Sequence, residues 1–276
     1  MVGAGVQMLL EILCVLLKGR RTVSFPDGSF VQGSTVFAAH GYTVRTRYKD
    51  ADIIYVSPSH MNRQGDVMPI QRRLELCAHS ADTGAVVIED DFENDFLYSS
   101  TPTPSLYALG SGNVVYMGAF SALLLPGIRI SFMVLSPALA AAYHQMKDTF
   151  AQTASKTEQI ALCAYLRDGN MKSRTKKIRR LYTGKAKALC ALLAKALPDH
   201  PVRVGENGLQ VQIETPMLPD SAPFEQAGLA LYIVKEKSGK NIVVVSPSAV
   251  PADRLEEAAH AVAAALYKAE EAAKAK

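Results

Sequence analysis

Short apolar runs alternate with longer stretches of helical period along the first half of the chain. Thr22 to Phe25, Asp52 to Val56, Ala85 to Ile88, Asn113 to Met117 and Ile130 to Leu135 are apolar runs rich in β-formers, which predicts strands. Between them Met8 to Leu17, Val31 to His40 and Ile70 to Ser80 read as helices, with Pro26-Asp27-Gly28-Ser29 and Gly41 as breaks. Such alternation predicts a parallel or mostly parallel sheet covered on both faces. Further on, Ala138 to Thr153, Glu158 to Leu166 and Met171 to Leu197 read as helices. The last part holds strands at Leu209 to Glu214, Ala230 to Val234 and Asn241 to Val245, with helices at Phe224 to Leu229 and Asp253 to Ala273. The expected fold is α/β, with a large domain over residues 1–170 and a smaller C-terminal α/β domain over 171–276.

Composition narrows the classes. With 276 residues, 49% hydrophobic and 20% charged, the chain is globular and long enough to bury a full core. A net charge of +4 does not imply a nucleic-acid partner unless the cations cluster. One run does cluster: Lys172, Arg174, Lys176, Lys177, Arg179, Arg180, Lys185 and Lys187. Apolar Ile178, Leu181, Leu189, Leu192 and Leu193 share that stretch, so a solvated basic face outweighs a nucleic-acid surface. Cys14, Cys77, Cys163 and Cys190 lie far apart without metal-ligand spacing, which predicts reduced core thiols in a cytoplasmic protein. Met8 to Leu17 contains Glu11, lacks a basic leader and is too short to span a bilayer, so no membrane partner is expected.

Ligands of such sheets sit outside the carboxyl ends of the strands, so the residues just past those ends carry the candidate chemistry. Gly3-Ala4-Gly5-Val6-Gln7 opens an apolar helix, a favourable spot for a phosphate and equally an ordinary helix start. Ser57-Pro58-Ser59-His60-Met61-Asn62-Arg63-Gln64-Gly65 follows one strand, and His60 reads first as a turn residue bonded to backbone. Glu89-Asp90-Asp91-Phe92-Glu93 follows the next, and its acidic spacing is too common to claim a metal. The stretch from Tyr116 to Phe132 joins two strand-like runs through small residues and Pro126-Gly127.

Together these segments resemble the fold-type I enzymes that use pyridoxal 5'-phosphate (PLP), and above all the aminotransferase-like half of MocR-type regulators of the GntR family. Gly118, Phe120, Ser121, Pro126, Gly127 and Arg129 fall in register with the cofactor-lysine segment, but Ala122 stands at the Schiff-base lysine. Residues 89–98 resemble the family's acidic strand-end motif, residues 57–65 its Thr-Pro-Ser-His turn, and residues 205–208 its Gly-Glu-x-x-Gly turn. The resemblance implies an aspartate-aminotransferase-like large domain, truncated at its N-terminus, followed by the small domain. It implies that Gly5, Val6 and Gln7 cradle the phosphate, that Asn62 meets the ring hydroxyl and that Asp90 meets the pyridine nitrogen. Ser121 and Arg129 complete the cofactor-binding set. Phe30 and Phe92 stand where the family keeps tyrosines, and Val6 and Ala119 where it keeps hydroxyls. The substrate-carboxylate arginine has no counterpart in Ile242 to Ser246, with Lys240 nearby.

These departures remove polar groups around one ligand and leave the scaffold. The expectation is therefore a catalytically degenerate domain with no catalytic residue and no metal, which binds PLP or a PLP–amino acid adduct non-covalently and weakly. It would sense a small effector (an amino acid or PLP) and form a homodimer, with DNA reached only through a winged helix-turn-helix segment absent from this chain. Two alternatives remain open. One is a PLP-dependent aminotransferase altered at Ala122; the other is a purely structural dimerisation module.

Overall fold

A computed structural model describes residues 1–91, 103–110, 112–121, 123–125, 127–217, 219–235 and 239–274. Phe92, Ala122 and Pro126 lie outside the described residues. The described chain forms two compact units, one of residues 1–62, 67–91 and 103–175, the other of 63–66 and 176–274.

In the first unit β1 (Val2–Gly3), β2 (Thr22–Phe25), β3 (Thr43–Thr46), β4 (Ile53–Val56), β5 (Val86–Asp90), β6 (Val114–Ala119) and β7 (Ser131–Val134) make a seven-stranded sheet in the order β1-β7-β6-β5-β4-β2-β3. Strands β3, β2, β4, β5 and β6 run parallel, while β7 is antiparallel to β6 and β1 to β7. The runs on either side of residues 120–130 are thus antiparallel neighbours at one side of a mostly parallel sheet. Alternation along the strands sends side chains to two faces. Val23, Phe25, Ile53, Tyr55, Val86, Ile88, Val115, Met117 and Met133 share a core with α1 (Val6–Leu16) and α2 (Val31–Ala39). Val87 and Val114 pack on the other face with Leu76 and Cys77 of α3 (Ile70–Thr83) and Leu106 of α4 (Leu106–Leu109). Both faces are covered, which is why these strands read as nearly continuous apolar runs.

The remaining helices of this unit are α5 (Pro137–Met146) and α6 (Lys156–Arg167); α7 (Asn170–Ala196) begins in it. Where one helix was expected over residues 138–153, α5 stops at Met146, followed by a single 3-10 turn, Lys147–Thr149. The expected core thiols separate: Cys14 and Cys77 are buried, but Cys163 lies on an exposed face of α6.

The second unit carries β8 (Val202–Val204), β9 (Val211–Thr215), β10 (Tyr232–Lys235) and β11 (Asn241–Val245) in the order β10-β11-β9-β8, antiparallel throughout. The later turns of α7, α8 (Ala222–Gln226) and α9 (Leu255–Lys274) complete it. Leu189 and Leu193, Val211 and Ile213, Phe224, Val243, Val262 and Leu266 form its core. Residues 63–66 belong here because Gln212 Nε2 donates to the Gln64 carbonyl at 2.7 Å and the Asn207 N–H to the Gly65 carbonyl at 3.0 Å. Only glycine fits at 65: its φ is +80°, and a Cβ would stand 2.2 Å from Gln210 Oε1 and 2.6 Å from Asn207 Oδ1. Among the described residues no helix is long and apolar enough to cross a membrane.

Candidate functional site

Strand pairing places most of the expected site residues along one edge of the large sheet. Tyr55, Asp90 and Ala119 lie at or near the carboxyl ends of β4, β5 and β6, which run parallel. Because β7 returns antiparallel, its start at Ser131 pairs with Ala119, and β1 ends there too, with Gly3 opposite Ser131. The chain beyond each of these ends therefore emerges at the same edge. That brings Phe30, Asn62, Asp90, Ser121, Arg129 and the start of α1 at Val6 to one side of the sheet. Of the other two expected positions, Phe92 and Ala122, both lie outside the described residues.

Two direct contacts structure this edge. At one, α1 starts after Gly5, whose φ of +91° turns the chain into the helix with no side chain capping it. The first-turn N–H groups of a helix have no intrahelical acceptor and carry the positive end of its dipole. The Arg129 guanidinium lies against that turn so closely that a Cβ on Gly5 would stand 2.6 Å from its Nη2. Arg129 and Gln7 are exposed, while Val6 is half-buried and packs on the core. This is a cationic, donor-rich spot suited to an anion.

At the other contact, Asp90 is 5% exposed at the end of β5, and the Tyr55 hydroxyl donates a short hydrogen bond to its Oδ2. Its Oδ1 is buried without a hydrogen-bond partner. Burial pushes the Asp90 carboxyl up to about 6; the Tyr55 hydrogen bond opposes that rise and the neighbouring Asp91 charge adds to it. Tyr55, itself 2% exposed, is driven well above the ordinary phenol range by burial, with Asp90's charge and hydrogen bond adding. The Tyr55 ring packs against Phe25, stacked at 4.9 Å, and Phe30 at 5.3 Å, which also meet each other at 6.5 Å. Phe30 thus packs into an aromatic cluster rather than standing alone over open space.

The preceding residue behaves differently. Glu89, fully buried on the opposite face, accepts from the Leu106 and Tyr107 N–H groups at 2.9 and 3.0 Å and lies 4.0 Å from Arg73 Nη1. Arg73 in turn donates to the Met68 and Pro104 carbonyls. Sequence reasoning missed both Tyr55 and this Arg73–Glu89 clamp. Tyr55 reads as one more apolar strand position, and nothing in the spacing of Arg73 and Glu89 marks them as a pair.

Elsewhere the expected polar candidates find structural partners. Arg174 donates to the Leu123 and Leu124 carbonyls, and Lys185 to the Ser248 and Val250 carbonyls. The basic run is therefore partly structural. Lys240 pairs with Glu214 at 3.0 Å on the surface, and Arg63 sits 4.9 Å over the Tyr232 ring. Among the described residues no group of three His, Cys, Asp or Glu side chains could hold a metal ion.

A mostly parallel seven-stranded sheet joined in one chain to a small antiparallel unit is the fold of PLP-dependent aminotransferases. LysN, the alpha-aminoadipate aminotransferase of Thermus thermophilus solved in complex with N-(5'-phosphopyridoxyl)-L-leucine, shares it. The TM-score is 0.76 at 23% identity, over 98% of this chain and 77% of that one. Residues 47–251 match aminotransferase class I and II, and the chain belongs to that family. YdeL of Bacillus subtilis strain 168, described as an uncharacterized HTH-type transcriptional regulator, is 29% identical over 261 residues, 89% of this chain and 54% of its own length. MocR of Rhizobium meliloti, described as a probable rhizopine catabolism regulatory protein, is 30% identical over 162 residues, covering 58% and 33%. The chain spans about half the length, or less, of these regulators.

Proposed function

We propose that this chain is the ligand-sensing and dimerising part of a MocR-type transcription regulator, an aminotransferase-like domain relieved of catalysis. In this reading it binds PLP, or a PLP–amino acid adduct, non-covalently in the cytoplasm, and DNA is contacted by chain beyond these residues. The observation that carries it is the Asp90 carboxyl, whose buried Oδ1 has no partner. An idle buried acceptor is costly unless a ligand completes it.

The residues fit the group. When bound, PLP supplies an electron-poor ring and an aldehyde that captures amines. Asp90 Oδ1 would accept a hydrogen bond from the protonated ring nitrogen, and the Arg129 guanidinium with the α1 first-turn N–H groups would hold the phosphate. Burial of the carboxylate strengthens its bond to a cationic N–H. At sequence position 122 alanine offers no amine, so no covalent anchor or proton shuttle arises there. Capture of an adduct, rather than turnover, is what this set of groups supports.

A titration with PLP, alone and with a panel of amino acids, followed by absorbance and calorimetry, tests the reading. Saturable binding that tightens with one amino acid is expected and would name the effector. No binding at millimolar PLP would sink the sensor reading and leave the structural module.

A further inference from the structure

Tyr55 and Asp90 meet through strand register. Tyr55 pairs with Ile88 across the parallel β4–β5 ladder, and Asp90 lies two residues further toward the carboxyl edge on the same face. A tyrosine ring is long enough to span that diagonal. The phenol has little freedom to leave, since its ring is buried and packs in one cluster with Phe25 and Phe30. An ionised carboxylate can accept about four hydrogen bonds; Asp90 receives one, on Oδ2, and Oδ1 is left with none. No Lys, Arg or His among the described residues pairs with it, and the charge that acts on it, Asp91, is also an acid.

We propose that Tyr55 is the positioning residue of this site: by occupying Oδ2 it presents Oδ1 as the single acceptor, and so selects ligands that carry a protonated ring nitrogen over carbocycles of the same shape. The inference rests on the PLP reading above but adds a residue and a selectivity to it. A phenol that merely filled space would favour both ring types alike. A phenol that fixes the carboxylate's geometry and charge favours only the ligand that donates to Oδ1. Replacing Tyr55 by Phe keeps the packing against Phe25 and Phe30 and deletes the donor.

The test measures, by calorimetry, the affinities of wild type and Tyr55→Phe for PLP and for its analogue with the ring nitrogen replaced by C–H. Wild type should prefer PLP by about tenfold or more, the scale of one charge-assisted hydrogen bond. Tyr55→Phe should lose most of that preference while holding the carbon analogue within about twofold. An unchanged preference, or equal weakening of both ligands, overturns the proposal. A ligand-free arm follows the Asp90 carboxyl by carbon-13 NMR across pH in both proteins. Loss of the phenol bond should move its titration to higher pH, and an unmoved titration overturns the proposal. If wild type bound neither ligand, the PLP reading would fail, and the NMR arm would still decide the role of Tyr55.

Discussion

Glu89 and Asp90 are consecutive, both buried, and project to opposite faces of β5. Glu89 is complete: two backbone N–H groups and the Arg73 guanidinium surround it, and it ties β5 to α3 and the start of α4. Asp90 is half complete, with one phenol and an idle oxygen. Burial raises both carboxyls above their ordinary range. Burial alone therefore does not separate the two acids. The count of unanswered acceptor sites does.

The contrast can be broken most sharply on the complete side. Arg73→Leu leaves Glu89 buried without its cation and the Met68 and Pro104 carbonyls without a donor. Stability should fall by roughly 3–5 kcal/mol in denaturant unfolding, the usual cost of removing one partner of a buried pair. A loss below about 1 kcal/mol would place this pair with surface ion pairs.

On the incomplete side the sign reverses. Asp90 keeps its proton to about pH 6 when folded, against an ordinary value of 3.8. The folded state thus binds more protons than the unfolded chain across that interval. Its contribution is full below the ordinary value and is lost as pH rises through about 6. Asp90→Asn removes that loss, so the variant should gain on wild type by on the order of 2 kcal/mol between pH 4 and pH 7. Unfolding curves at both pH values check it, and a constant difference between the two proteins would count against it. The same substitution should abolish the preference for a protonated ring.

A smaller effect is expected at the anion spot. Gly5→Ala puts a methyl against Arg129 at a backbone φ of +91°. Stability should drop by about 1–2 kcal/mol, and affinity for phosphate-bearing ligands should fall with it. Inorganic phosphate binding, followed by calorimetry, reads the second effect without any aldehyde chemistry. Unchanged phosphate binding would detach Arg129 from the site.

Much of the framework was legible in the chain's pattern because β2, β4, β5 and β6 are buried on both faces and read as apolar runs. β3 was missed, since an outer strand with the sequence Thr-Val-Arg-Thr shows no such run. β1 and β8 are too short to leave a periodic signal. The candidate site was legible only in part. Glycines before an apolar helix and an acid at a strand end are patterns a sequence can show, and both landed on the carboxyl edge. The Tyr55 phenol and the Arg73 clamp depend on which strands and helices become neighbours across the fold. Local sequence holds no record of that.

Residues 63–66 have a consequence for how the molecule is made. They leave the ribosome more than a hundred residues ahead of Asn207 and Gln212, the groups they bond. The second unit cannot close its hydrogen bonds until nearly the whole chain exists, whatever the first has already done. A fragment cut at the joint inside α7 would carry every described strand of the small sheet yet lack residues 63–66, which belong to its fold. Its Gln212 amide and Asn207 N–H would then have to find water in place of a backbone made long before them.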